Sequence, residues 1–204
     1  MPLIQLKQRI GNLLTFLEIQ GVRKVLQIGI EYPESLLILA EKGFDVTVFA
    51  TDPQKLKQAE KGLEKRNLKA MLTSVPSEIK IDYYDFALAY NNLYKITHQG
   101  LRDKLTVFLA YLREDGFFYL TLASTRNSKF GKGKEKEKNT YDMGGNLLHF
   151  SDAVEIVNLF RHVEIIDLRN EEQEKPGSFH WHVLGRNRDP YPPEDEEETS
   201  SSID

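Results

Sequence analysis

The chain has 204 residues, 40% of them hydrophobic and 28% charged, a length and balance suited to one globular domain with its own core. It contains no cysteine, which excludes disulfides, thiolate nucleophiles and cysteine-ligated zinc. A formal net charge of -4 carries no global signal for nucleic acid, MPLIQLKQRIGNLL lacks the features of a signal peptide, and no segment has the apolar length of a membrane span, so a cytoplasmic protein with no membrane partner is expected.

Leu3, Leu6, Ile10, Leu13, Leu14 and Leu17 recur at helical spacing and predict an amphipathic first helix, broken at Gly21. VLQIGI, residues 25–30, is a nearly continuous apolar run, as expected of a strand covered on both faces. Pro33 stands where a helix over 34–42 would begin, a position at which a missing N–H costs nothing. DVTVFA (45–50) reads as the second strand, and Asp52-Pro53 opens a charged surface helix to about Asn67. AMLTSV (70–75) and YYDFALAY (83–90) are further strands. LRDKLTVFLAYLR (101–113) is a helix, Glu114-Asp115-Gly116 a turn, and FFYLTLAS (117–124) a fifth strand.

Residues 126–138, RNSKFGKGKEKEK, hold six basic and two acidic side chains and read as a mobile solvated loop or a lid. With little aromatic interleaving beyond Phe130, nucleic-acid binding is not expected there. Ser151 is placed to cap a helix from Asp152 to Phe160. VEIIDLRN and FHWHVLGRN then follow without a helix between them, which fits an antiparallel hairpin. From Arg188 to Asp204 the chain has seven acids, one arginine and almost no apolar residue, and an acidic disordered tail is expected. The expected organisation is therefore a doubly wound α/β domain over 1–187 and a tail over 188–204.

Three stretches in this order resemble the class I S-adenosylmethionine-dependent methyltransferases, most closely the small tellurite-resistance-type group. They are VLQIGIEYPESLLILAEKGFDVTVFATDP, YLREDGFFYLTLAS and LLHFSDAVEIVNLFRHVEIIDLRNEEQEKPGSFHWHVLGRN. The resemblance covers residues 10–187 and implies a Rossmann-like, seven-stranded, mostly parallel sheet with an antiparallel C-terminal hairpin. It also implies an S-adenosylmethionine site at Gly29, Ile30, Glu31, Ala50, Thr51, Asp52, Ser74 and Asn91.

The departures from the family pattern fall on that site. Gln27 stands where the family's first strand ends in an acid, Glu31 and Pro33 replace loop glycines, Ala50 replaces the acid that grips the ribose, and Ser74 replaces the group that contacts adenine. Glu31 adds bulk and negative charge where backbone should approach the cofactor. Losing a carboxylate that accepts from two ribose hydroxyls removes hydrogen bonds worth about 1.5–3 kcal/mol each. Asp52 reads more plainly as a helix cap before Pro53 than as a substitute acid.

Other candidates have plainer alternatives. Asn91 and Asn92 would face a methyl acceptor or serve turn chemistry, and Tyr94 would line the pocket or pack as a half-buried aromatic. His149, His180 and His182 could form a three-histidine metal site, but strand histidines are more often packing residues, and no metal is expected. Glu171-Glu172 reads as a solvated pair. Two functions remain: a methyltransferase transferring a methyl group to a small molecule, with no assigned catalytic residue, and a pseudo-methyltransferase kept as a binding or scaffold module, with a homodimer as one form. The cofactor loop favours the second, with weak or absent S-adenosylmethionine binding.

Overall fold

The computed structural model describes residues 2–173 and 175–188; the expected tail from Asp189 onward lies outside them. Helix α1 (Pro2–Ile19) is followed by β1 (Lys24–Ile28), α2 (Pro33–Glu41), β2 (Asp45–Phe49), α3 (Pro53–Lys65), β3 (Met71–Thr73) and β4 (Tyr84–Ala89). Then come α4 (His98–Ala110), β5 (Leu112–Ala123), β6 (Lys134–Glu137), β7 (Thr140–Asp142), β8 (Leu147–His149), α5 (Ala153–Leu159), β9 (Glu164–Glu172) and β10 (Phe179–Arg186). The main sheet has seven strands in the order β3-β2-β1-β4-β5-β10-β9. The first five run parallel, and β10 is antiparallel to both β5 and β9. This is the Rossmann-like, doubly wound sheet with its antiparallel C-terminal hairpin.

The alternation of strand side chains divides the core in two. Val25, Val46, Val48, Phe86 and Leu88 face α1, α2 and α3, where Ile10, Leu14, Leu17, Leu36 and Leu63 cover them. Leu26, Ala87, Phe118, Leu120 and Leu122 face α4 and α5, where Leu101, Leu105, Phe108, Ile156 and Phe160 cover them. The connection from β3 to β4 carries only a single 3-10 turn, Pro76–Glu78. The α4 side of the strand ends therefore stays open beside Ile28 and Phe49.

Four local expectations change. Helix α4 begins three residues earlier than the apolar spacing suggests, because Thr97 caps it by accepting from the Gly100 N–H. The turn at Glu114–Gly116 survives as an irregularity inside β5: Tyr84 pairs with Leu112 and Phe86 with Phe117. The cap of α5 is Asp152, whose carboxylate accepts from the Glu155 N–H at 2.8 Å, while Ser151 is buried and its carbonyl accepts from Trp181. Part of the lysine-rich segment is strand β6, which joins β7 and β8 in a small antiparallel sheet over Phe130, Tyr141 and Phe150. Among the described residues, no helix is long and apolar enough to cross a membrane.

Phe118 is fully buried, stacked 5.9 Å from Phe160 and edge-on to Phe108 at 6.3 Å. Phe118→Ala should cost about 3–5 kcal/mol in urea unfolding, whereas Val157→Ala on the exposed side of α5 should stay within about 0.5 kcal/mol.

Candidate functional site

The loop between β1 and α2 is set by hydrogen bonds within a short span. The buried amide of Gln27 donates to the carbonyl of Gly29 at 2.9 Å and accepts from the Ser35 hydroxyl at 3.1 Å. Ser35 Oγ also lies 2.8 Å from the Tyr32 carbonyl, and Pro33 occupies the first turn of α2 without needing a donor. An acid at position 27 would lack the N–H that holds Gly29. Gly29 has φ 81°, and a Cβ there would meet the amide nitrogen of Asn92 at 2.3 Å. The positive φ favours glycine at 29, and any larger residue would also have to displace the Asn92 side chain.

Beyond this loop lies a cleft of about 450 Å³ at the carboxyl ends of β1 and β2. Six of the eight residues assigned by resemblance line it: Gly29, Ile30, Glu31, Ala50, Thr51 and Asp52. Ser74 is exposed and outside the lining. Asn91 is buried with φ 54°, its N–H donating to Thr121 Oγ1 at 2.8 Å and its side-chain oxygen accepting from that hydroxyl at 3.0 Å. It does turn and strand-bridging work, while its neighbour Asn92 reaches the cleft. Asp52 lines the cleft and caps α3, accepting from the Gln54 and Lys55 N–H groups at 2.9 and 3.3 Å.

Glu31 does not present a bare negative charge. Its Oε1 accepts from Lys95 at 2.7 Å and from Lys55 at 3.3 Å. Burial works to raise its pKa, but the hydrogen bond and charge of Lys95, then Lys55, outweigh this and hold the carboxyl below its ordinary value. The repulsion expected between Glu31 and a ligand carboxylate is therefore replaced by a bridge of two ammoniums and one carboxylate, net +1. Lys55 and Lys95 escape sequence inspection: Lys95 is 64 positions from its partner. On the α1 side of Gly29, among the described residues, lies a void of about 20 Å³ bounded by Arg9, Tyr32, Tyr90 and Tyr119, room for about one water molecule.

The histidines are held by separate partners. His149 stands between Thr140 Oγ1 and Glu155 Oε1, both at 2.7 Å, with His98 stacked on its ring. His180 donates from Nδ1 to the Ser178 carbonyl, leaving Nε2 toward the Tyr94 hydroxyl at 3.3 Å. Tyr94 is thus a packed aromatic of this cluster. His182 Nδ1 faces Arg9 and the Tyr119 hydroxyl, at 3.3 and 2.6 Å. Its Nε2 then carries hydrogen, yet it faces the Gln173 amide nitrogen at 3.1 Å. Turning that amide over gives Nε2–H an acceptor and relieves the otherwise unpaired buried Gln173 oxygen. Among the described residues, no group of three or more histidine, cysteine or acidic side chains is placed to hold a metal ion.

No protein-family model matches the sequence, and no curated protein is detectably similar to it. Solved structures are similar in fold. An S-adenosylmethionine-dependent methyltransferase from Methanosarcina mazei superposes with a TM-score of 0.68 at 19% identity, over 81% of this chain and 92% of that one. TehB from Haemophilus influenzae gives 0.65 at 14% identity, over 87% of this chain and 62% of TehB. The [4+2]-cyclase SpnF gives 0.62 at 12% identity, over 82% and 75% of the two chains. The chain has the class I methyltransferase fold.

Burial pushes His180 down to about 4, with Lys129 adding to it, and burial followed by Arg9 pushes His182 down to about 3. Both stay neutral in the folded protein, while the unfolded chain takes up protons near the ordinary value of 6.5. Stability should therefore fall as pH drops below that value, by about 1.4 kcal/mol per pH unit for each histidine. Urea unfolding between about pH 7 and pH 5 should show this slope, and the double variant His180→Gln, His182→Gln should flatten it. In the loop, Gln27→Glu should cost about 1–3 kcal/mol in the same assay, since it removes a buried donor and leaves the Gly29 carbonyl facing an acceptor.

Proposed function

We propose that this chain is a methyltransferase-fold binding module that has lost ordinary use of S-adenosylmethionine. The observation that carries this reading is the Lys55–Glu31–Lys95 bridge in the cleft beside the first loop. S-adenosylmethionine has two cationic groups and one carboxylate, so it meets the net positive bridge as a cation. Like charges at 4 Å repel by about 1 kcal/mol in bulk water and more as water is excluded. Ala50 offers no carboxylate to the ribose hydroxyls, and two lost charge-assisted hydrogen bonds lower affinity by about a hundredfold or more. The void of about 20 Å³ on the α1 side of Gly29 adds little room for a methyl acceptor.

Calorimetric titration with S-adenosylmethionine should give a dissociation constant near millimolar or no heat, about a thousandfold above a micromolar site. Ala50→Asp with Lys55→Met, which restores an acid for the ribose and removes one ammonium from the bridge, should recover binding without lowering the melting temperature of the fold. Micromolar binding by the unmodified chain would sink the reading. A second reading is an active enzyme transferring a methyl group to a small molecule by proximity and orientation alone. One observation favours it: six of the eight expected cofactor residues still line one cleft.

A further inference from the structure

The cleft that lacks the ribose-binding acid has gained lysines. Lys55, Lys95 and Lys104 all line it. Its three acids each have a partner of their own: Glu31 is shared by two lysines, Asp52 caps α3, and Asp103 Oδ1 accepts from the Gln99 amide at 2.8 Å. Because Lys55 and Lys95 meet the same oxygen of Glu31, their ammonium nitrogens are no farther apart than the sum of those two contact distances. Ile28, Phe49, Leu93, Val107, Phe108 and Tyr111 form the apolar part of the lining, a surface suited to the face of a nucleobase.

In doubly wound nucleotide-binding sheets, an acid at the tip of the second strand takes a free ribose diol. Where the ribose carries a phosphate, a cationic side chain nearby accommodates it. Here the tip is Ala50, small and without charge, and Lys55 enters the same cleft from the first turn of α3. We propose that the cleft binds a purine nucleoside phosphorylated on its 2′ or 3′ oxygen, with Lys55 and Lys95 meeting the phosphate and the apolar wall meeting the base. This rests on the reading that S-adenosylmethionine is not the ligand of the cleft. The lining as a whole sets three lysines against three acids, so the attraction is local: at the bridge one carboxylate holds two ammoniums in place, and a phosphate there meets two positive charges against one. Phosphate binding draws on charge-assisted hydrogen bonds that adenosine cannot form.

The test is calorimetry on the full chain with 2′-AMP, 3′-AMP, 5′-AMP, adenosine, S-adenosylmethionine and inorganic phosphate, at low and high salt. The 2′- or 3′-monophosphate should bind at least about tenfold more tightly than adenosine or 5′-AMP, and the preference should shrink at high salt. Lys55→Met should remove the preference, weakening the 2′- or 3′-monophosphate at least about tenfold more than adenosine. Ala50→Asp should reverse it, improving adenosine and weakening the phosphorylated nucleosides. Equal binding of adenosine and its phosphates would overturn the proposal, as would a preference for 5′-AMP. Binding of inorganic phosphate with no gain from the nucleoside would overturn it too. If no nucleotide binds and S-adenosylmethionine does not either, the proposal fails while the functional reading stands. Micromolar S-adenosylmethionine with no phosphate preference sinks both.

Discussion

The Oε1 oxygen of Glu31 accepts from two ammonium groups on two distant segments, Lys55 on α3 and Lys95 beyond β4. This one atom ties the loop after β1 to both walls of the cleft. Each pair alone would be a modest surface contact, since both lysines are more than a third exposed. Their shared acceptor, itself 23% exposed, leaves a local surplus of one positive charge at the bridge, within a lining that holds three lysines and three acids.

The bridge also explains why the loop tolerates Glu31 at all. A lone half-buried carboxylate at the rim of the cleft would carry a desolvation cost with nothing to offset it. Lys95 and Lys55 supply that offset, and Glu31 supplies theirs. The remaining loop positions are fixed independently. Gln27 fastens Gly29 and Ser35, and Gly29 in turn donates its N–H to the Phe49 carbonyl at 2.8 Å. Two separate sets of satisfied groups therefore hold the loop, one around Gln27 and one around Glu31.

The main sheet was legible because its central strands are buried on both faces and read as apolar runs; VLQIGI and YYDFALAY are examples. The small sheet was not. Strand β6 is KEKE, exposed at every position, so it has no hydrophobic alternation to reveal it; its pairing with β7 and the packing of Tyr141 and Phe150 beneath are tertiary facts. The caps show a finer limit. Ser151 and Asp152 are adjacent and both suit an N-cap, and burial of Ser151 against Ser124 decides between them. In the cleft, positions read from strand and loop order came together, whereas Ser74 and Asn91 lie outside the lining because a 3-10 turn follows β3 and Asn91 turns inward to Thr121.

A sheet of this order supports different chemistries because its loops carry the site and its core does not. The [4+2]-cyclase SpnF shares the fold at 12% identity, which illustrates how weakly topology constrains the reaction. In the present chain the core packs on both faces of the sheet. Against the pattern of the family it resembles, an amide stands for an acid at 27, an acid for a glycine at 31, and a methyl group for an acid at 50. The last two changes are opposite in charge and fall on the same cleft. Net charge alone would therefore be nearly conserved; what shifts is its location, from the tip of β2 to the loop after β1. Glu31 draws in Lys55 and Lys95, while Asp52 keeps a carboxylate in the cleft two residues beyond Ala50. In the proposed function, selection of ligand rests on where the Glu31 carboxylate sits relative to the two lysines.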